Sequence, residues 1–137
     1  MLNHSTAEDL LKLISDDESS TIKKAQNFIF IPDNYEYIRI NLCDILFIEA
    51  DGSYAKIYTI YRVHQLSTNL KSIFEQFEHP DFIRISRKHI INMRYTERIN
   101  GISLIVKSPN GVEHKIPFSK RKRQGILNEL PVIKIKH

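Results

Sequence analysis

The spacing of hydrophobic residues changes several times along the chain, and each change predicts a new element. Before residue 67, hydrophobic residues alternate with polar ones or form short runs, which is typical of β-strands. The strands predicted in this way are residues 28–31, 35–40, 45–50, 54–60 and 63–66. Because they follow one another closely, we expect them to pair antiparallel.

Helical spacing replaces this pattern in two later segments. In residues 68–77 the apolar positions are i, i+3, i+4 and i+7, with Thr68 as a candidate cap. Those apolar residues are Leu70, Ile73, Phe74 and Phe77. Residues 120–130 follow Ser119, a favourable N-cap, and Ile126, Leu127 and Leu130 can anchor a second helix there. Near the start, a capping-box pattern from Ser5 to Glu8 predicts a short amphipathic helix over residues 6–15, followed by an acidic linker.

The segment of residues 82–92, F-I-R-I-S-R-K-H-I-I-N, carries a polar loop between apolar residues. Its four isoleucines are expected in the cores of two strands, which would push the residues from Ser86 to His89 outward. The donors of this loop suit phosphates and base edges, although an ordinary solvated turn has the same pattern. We expect one alternating strand over residues 98–106, a turn over 108–111 and a last strand over 112–116.

Composition limits the class of protein. A chain of 137 residues with 42% hydrophobic residues can form one domain with a core. No apolar run approaches the roughly 20 residues of a membrane span, and the N-terminus lacks the pattern of a signal peptide. A single cysteine, Cys43, excludes a disulfide within the chain and fits a reducing compartment, so we expect a cytoplasmic protein with Cys43 buried as a small hydrophobe.

Positive charge is concentrated in the second half of the chain. Residues 81–125 contain 11 Lys and Arg against 3 Asp and Glu, a net charge of +8, whereas residues 1–50 contain 4 against 9, a net charge of −5. Four consecutive cations, residues 120–123, lie where a helix is predicted to begin and oppose its dipole. Bound phosphate would offset that cost, so a polyanionic partner is expected, with a solvated basic cluster as the alternative.

Motifs for catalysis and metal binding are missing from the sequence. The six histidines are scattered, without the spacing of a zinc site, and no glycine-rich phosphate loop or nucleophile motif occurs. We therefore expect no enzymatic activity, no cofactor and no metal.

Three blocks of sequence together resemble the LytTR-type DNA-binding domain of bacterial LytR/AlgR-like transcription regulators. They are D-I-L-F-I-E-A-D-G-S-Y (residues 44–54), residues 70–77 with the segment 82–92, and I-P-F-S-K-R (residues 116–121). The resemblance extends over residues 27–130. It implies a mostly β fold of elongated antiparallel β-sheets with one or two short helices, to which the short N-terminal helix is added.

DNA contacts are implied by the same resemblance. In the family, loops rather than a recognition helix enter successive major grooves of duplex DNA. The residues that match those loops here are Ser53, Tyr54, Ala55 and Lys56, then Ser86, Arg87 and Lys88, then Ser119, Lys120 and Arg121; Arg123 adds a cation to the last group. Arg87 has the geometry to contact guanine O6 and N7 together. We interpret Asn92, another family residue, as a structural residue that bonds the backbone at a strand end.

The resemblance also implies partners and domain organisation. We expect residues 1–26 to form the N-terminal helix and linker, residues 27–131 the DNA-binding domain and residues 132–137 a tail. Many relatives belong to two-component systems as response regulators with a receiver domain. The sequence leaves no room for such a domain before residue 27. The chain could therefore be a stand-alone regulator or a fragment of a longer one. Two copies on paired direct repeats, a homodimer on DNA and a separate sensor protein are expected.

Two other functions fit the same pattern. A β-rich protein-interaction module could dock an acidic partner through the basic face. A binder of single-stranded nucleic acid could stack bases on Tyr54, Tyr58 and Tyr61 if these side chains are exposed together.

Overall fold

The computed structural model describes residues 27–76 and 79–135, and over these residues the chain is mostly β. The strands are β1 (Phe28–Asp33), β2 (Glu36–Asn41), β3 (Ile45–Asp51), β4 (Tyr54–Thr59), β5 (Val63–Leu66), β6 (Phe82–Arg84), β7 (His89–Asn92), β8 (Thr96–Ile99), β9 (Ser103–Lys107) and β10 (Glu113–Pro117). The helices are α1 (Leu70–Gln76) and α2 (Arg123–Glu129), with 3-10 turns at Leu42–Asp44, Met93–Tyr95 and Lys120–Lys122. The predicted N-terminal helix and linker lie outside the described residues.

A central antiparallel sheet holds the described part of the chain together. Its strand order is β5-β4-β3-β7-β6, so β3 lies in the middle. In β3, Ile45 pairs with Thr59 but Phe47 pairs with Tyr58, which leaves Leu46 as the extra residue of a β-bulge. Because of the bulge, Ile45 and Ile48 join the hydrophobic cluster on one face, and Leu46 and Phe47 join the cluster on the other. Both faces of β3 are buried, which explains its continuous apolar sequence.

The first face of the central sheet is covered by the hairpin β1–β2 and by α1. Ile31 and Ile40 from the hairpin, and Leu70 and Ile73 from α1, pack in one cluster with Ile48. The predicted helix is confirmed over Leu70–Gln76, but its cap is Asn69 rather than Thr68. The Asn69 side-chain oxygen accepts a bond of 2.8 Å from the backbone N–H of Ser72.

The second face is covered by the three-stranded sheet β10-β9-β8 and by α2. Leu104, Val106, Ile116 and Ile126 pack there in a cluster with Phe47. The central strand β9 is apolar on both sides, and Ser103, Leu104, Ile105 and Val106 are all buried.

The single strand predicted over residues 98–106 is wrong. A turn at Asn100 and Gly101 divides it into β8 and β9, because the Asn100 side-chain oxygen accepts bonds from the backbone N–H groups of Ile102 and Ser103. At this turn Ile102 is 54% exposed, whereas Ser103, the first residue of β9, is 1% exposed.

Two further local predictions are corrected by the structure. Cys43 is exposed, because the 3-10 turn Leu42–Asp44 directs Leu42 into the core instead. The helix predicted from residue 120 begins as a 3-10 turn and becomes α-helical only at Arg123, and the Ser119 hydroxyl makes no capping bond. The first turn therefore lacks the regular α-helical N-terminus that the sequence predicts.

Asn92 has the structural role expected from its sequence. Its side chain is 1% exposed and donates a bond of 2.8 Å to the carbonyl of Ile45. Its side-chain oxygen accepts a bond of 2.9 Å from the backbone N–H of Arg94. Asn92 thus connects the end of β7 to the start of β3.

Candidate nucleic-acid interface

Three polar elements lie around the end of the central sheet where β3 ends and β4 and β7 begin. We call residues 52–53 the first loop, residues 85–88 the second loop and residues 119–123 the basic segment. The second loop is joined directly to the end of β3, since the backbone N–H of Ala50 donates a bond of 2.8 Å to the carbonyl of Lys88.

The first loop is a tight turn between β3 and β4. Gly52 has φ of +61°, which a residue with a side chain rarely adopts, and the register pairs Asp51 with Tyr54 across the turn. Ser53 and Tyr54 are exposed, as a contacting role requires. Lys56 is already engaged, because its Nζ lies 3.0 Å from a carboxylate oxygen of Asp51, and the bond to Asp51 raises the pKa of Lys56.

The second loop has a backbone fixed by hydrogen bonds and carries exposed cationic side chains. The Ser86 hydroxyl oxygen accepts bonds from the backbone N–H groups of Lys88 (3.1 Å) and His89 (3.2 Å). The Arg84 guanidinium donates to the Ser86 carbonyl at 3.2 Å. These bonds fix the path of the loop, while the side chains of Arg87 and Lys88 remain exposed. His89, which was also expected to point outward, is instead buried, with 6% exposure, because it pairs with Glu49 as the first residue of β7.

The basic segment follows β10 and is held mainly at its ends. Phe118 is buried beside Ile126 in the second-face cluster, and the N–H of Phe118 donates a bond of 2.9 Å to the Ile102 carbonyl. Between these anchors, Ser119, Lys120, Arg121 and Arg123 are exposed. Within residues 27–76 and 79–135, no cation of the second loop or of the basic segment pairs with a carboxylate.

A groove of about 500 Å³ lies between the second loop and the basic segment. Its lining residues are Ser86, Arg87, Lys88 and His89 on one side, and Pro117, Phe118, Ser119, Arg121 and Lys122 on the other. Five predicted contact residues are therefore brought to one groove, although about 30 positions separate the two stretches in sequence. Lys120 and Arg123 lie outside its lining, and so does the first loop.

Two cations near this groove were not among the predicted contacts. Lys122 lines the groove, and a second, smaller groove of about 240 Å³ brings Arg84 together with Arg121 and Lys122. Lys122 belongs to the run of four cations, residues 120–123, for which bound phosphate was expected. Arg84 was part only of the basic excess over residues 81–125, and that charge count gave it no position.

The three tyrosines proposed for base stacking do not form one platform. The Tyr58 ring stacks on Phe47 with centroids 4.3 Å apart, so one of its faces is covered. Tyr54 begins β4, whereas Tyr61 follows the other end of that strand, about 20 Å away at the usual rise per residue. Tyr54 and Tyr61 are nevertheless exposed, so the single-strand alternative stays a prediction.

The described residues form neither a cluster of metal ligands nor a membrane-spanning helix. No group of three or more His, Cys, Asp or Glu side chains there is arranged to hold a metal ion. No helix in residues 27–76 and 79–135 is long and apolar enough to cross a membrane.

The fold and the loops together define a class of protein: a small antiparallel β domain that presents basic loops at one end of its central sheet. The model of the LytTr DNA-binding domain family matches residues 35–130, and the chain belongs to this family. It is therefore a DNA-binding domain with a role in transcription regulation, and its family consists of DNA-binding domains rather than enzymes.

A solved structure supports the fold. The chain is similar to the LytTr DNA-binding domain of a Bacillus cereus protein described as a methyl-accepting/DNA response regulator, with a TM-score of 0.62 and 13% sequence identity. The similarity covers 78% of this chain and 99% of the other. Comparison with curated proteins gives no match. The predicted family and the mostly β fold class are thus confirmed.

Proposed function

We propose that the chain binds duplex DNA with sequence specificity, through loops that enter successive major grooves, and thereby regulates transcription in the bacterial cytoplasm. The observation that carries this proposal is the groove in which the rigid second loop faces the basic segment. Cations with no carboxylate partner among the described residues line both of its sides. Residues 27–131 are proposed as the functional unit.

The second loop is proposed as the element that recognises bases. Specific contacts to base edges need donors held in a defined geometry, and the bonds of Ser86 supply that geometry to the neighbouring Arg87 and Lys88. A guanidinium can donate two parallel bonds to guanine, which is worth about 1–3 kcal/mol of discrimination against other bases. Arg87 is therefore proposed as the main base contact.

The basic segment and the first loop are proposed to contact DNA on either side of the second loop. Ser119, Lys120, Arg121 and Arg123 would bind backbone phosphates, which position a protein on the duplex without reading sequence. Ser53, Tyr54 and Lys56 would make the contacts on the opposite side. Because the second loop is bonded to the end of β3 and shares a groove with the basic segment, it lies between the other two elements.

We further propose that two copies bind paired direct repeats and form a homodimer on DNA. A separate sensor or regulatory protein is proposed to control the activity of the chain. The same basic face would suit an acidic protein partner, which is the alternative function.

Selection from a pool of randomised duplexes, with affinities measured across salt concentrations, tests the proposal. We expect enrichment of a short motif, repeated one or two helical turns apart if two copies bind. Salt-sensitive binding without an enriched motif would contradict sequence specificity. An absence of duplex binding, together with binding to acidic proteins, would favour the alternative.

A further inference from the structure

A carboxylate lies partly buried behind the proposed recognition loop, where it joins side chains of three strands. One oxygen of Glu49, on β3, is 3.0 Å from Nε2 of His89, on β7. Its other oxygen is 3.5 Å from the hydroxyl of Tyr58, on β4. The His89 residue is 6% exposed, and Tyr58 stacks on Phe47, so packing holds both partners in place.

Stability alone gives no reason for a carboxylate at this position. A charge withdrawn from water loses solvation, and apolar side chains of similar volume often stabilise a protein at least as well as a buried polar pair. The Glu49 charge also lies on the strand that leads to the first loop, where it would repel DNA phosphates. These two costs fit a role for Glu49 in discrimination between DNA sequences rather than in overall affinity for DNA.

His89 connects this carboxylate to the second loop. It is the first residue of β7, and its backbone N–H donates to the Ser86 hydroxyl oxygen at 3.2 Å. Its carbonyl accepts a bond of 3.1 Å from the N–H of Ile85. Both bonds close the loop, so the orientation of the His89 residue sets the direction in which the chain leaves Arg87 and Lys88.

We propose that Glu49 is a positioning residue for DNA recognition, which holds His89 and thereby keeps the second loop in the conformation that presents Arg87 to base edges. This inference rests on the proposed function. It assigns Glu49 no contact with DNA, and it predicts that the residue affects discrimination between sequences more than electrostatic attraction to the duplex.

Binding by Glu49→Ala tests the inference, with Glu75→Ala as the control. Glu75 is an exposed acid on α1, so its removal changes the net charge equally without touching the loop. We expect Glu49→Ala to weaken binding to the selected duplex about tenfold, equivalent to 1.4 kcal/mol. Affinity for random duplexes and the salt slope should stay at the level of the control. An equal loss on selected and random duplexes would overturn the inference.

A double-mutant cycle asks whether Glu49 acts through Arg87. In an Arg87→Ala background, Glu49→Ala should cause little further loss of discrimination, because the side chain that it positions has already been removed. Additive losses would show that Glu49 acts independently of Arg87 and would contradict the mechanism. Glu49→Gln, which keeps an acceptor for one of the two partners, should recover part of the discrimination.

Amide hydrogen exchange gives a readout without DNA. In Glu49→Ala, the amides of Lys88 and His89 should exchange at least about tenfold faster than in the original chain, while the buried Ile57 amide keeps its rate. Unchanged loop exchange would overturn the inference; if Glu49→Ala fails to fold, the same comparison is made with Glu49→Leu, which fills the space but accepts no hydrogen bond. Should no duplex motif be enriched, the proposed function would fail, but the exchange result would still decide whether Glu49 positions the loop.

Discussion

The second loop and the basic segment face the same groove, but they are built differently. In the second loop, the Ser86 hydroxyl bonds two backbone N–H groups and strands of the central sheet flank both ends. In the basic segment, the Ser119 hydroxyl makes no capping bond, and a single 3-10 turn precedes a helix of seven residues. One element has a fixed backbone, and the other relies on buried Phe118 and Ile126 at its two ends.

This difference corresponds to two physical requirements of DNA binding. Reading a base edge requires donors in a defined geometry, because a bidentate contact tolerates little displacement. Attraction to phosphates depends mainly on charge, so it survives changes in side-chain conformation. The comparison therefore assigns discrimination to the second loop and general affinity to the basic segment.

The largest effect is expected from removing the charge of the basic segment. Replacing Lys120, Arg121, Lys122 and Arg123 by Gln should weaken binding to selected and random duplexes alike, by up to about 100-fold at low salt. The salt slope should flatten by about 0.9 for each phosphate contact that is lost. Affinity measurements across salt concentrations check both expectations.

Four exposed cations outside the three elements provide a matched control for that variant. They are Arg62, Lys71, Lys107 and Lys134. Their replacement by Gln removes the same charge, and the dependence of duplex affinity on salt should then change less than in the variant of the basic segment. An equal change in the two variants would mean that the effect comes from net charge, and the role assigned to the basic segment would be wrong.

Arg87→Ala should have the next largest effect, and it should act on discrimination. Loss of a bidentate contact to guanine would reduce the preference for the selected duplex by about 1–3 kcal/mol and relax one or two base positions. Repeating the duplex selection with the variant measures this change. Arg94→Ala, an exposed cation beyond the other end of β7, serves as the control. If binding to selected and random duplexes fell equally, Arg87 would be a phosphate contact.

A pair of serine variants compares the rigidity of the two elements directly. Ser86→Ala removes the acceptor of two backbone bonds and should lower the free energy of unfolding by about 0.5–2 kcal/mol. Ser119→Ala removes no capping bond and should stay within about 0.5 kcal/mol of the original chain. Denaturant unfolding measures both values, and equal destabilisation would show that the two elements are held alike.

The smallest effect is expected at the first loop, where Lys56 is engaged by Asp51. Asp51→Asn should bring the Lys56 pKa down towards its ordinary value of 10.5, because the bond and the charge that raise it are weakened or lost. Released from this partner, Lys56 should strengthen duplex binding about two- to fivefold at low salt and less at high salt. An NMR titration of Lys56 and binding assays test the two parts, with Glu75→Gln as the charge control.

Local patterns in the sequence were sufficient to predict much of the fold. The strands of the central sheet, α1 and the outward second loop follow from apolar spacing and turn residues, because each signal lies within a few positions. The division between β8 and β9 was missed, since the apolar residues continue past Asn100 and Gly101 and obscure the turn. The burial of Ser103 depends on the position of β9 between two other strands, which no local pattern encodes.

The candidate site was predictable in its residue types but not in its arrangement. Charge and donor content identified the second loop and the basic segment separately. Their common groove arises from tertiary packing of β10 and α2 against the central sheet. The contact between Glu49 and His89 spans 40 positions and depends on the register of β3 with β7, so it also required the structure.

The bulge at Leu46 also determines where the chain can change in length. Deleting this residue would restore strict alternation in β3 and leave Ile45, Phe47 and Ile48 facing their own clusters, whereas a residue added between Phe47 and Ile48 would turn one of the two away from its cluster. Asn110 and Gly111, between β9 and β10, are exposed and belong to neither cluster. A peptide tag or reporter should therefore be accepted there, whereas a residue added between Phe47 and Ile48 should prevent folding.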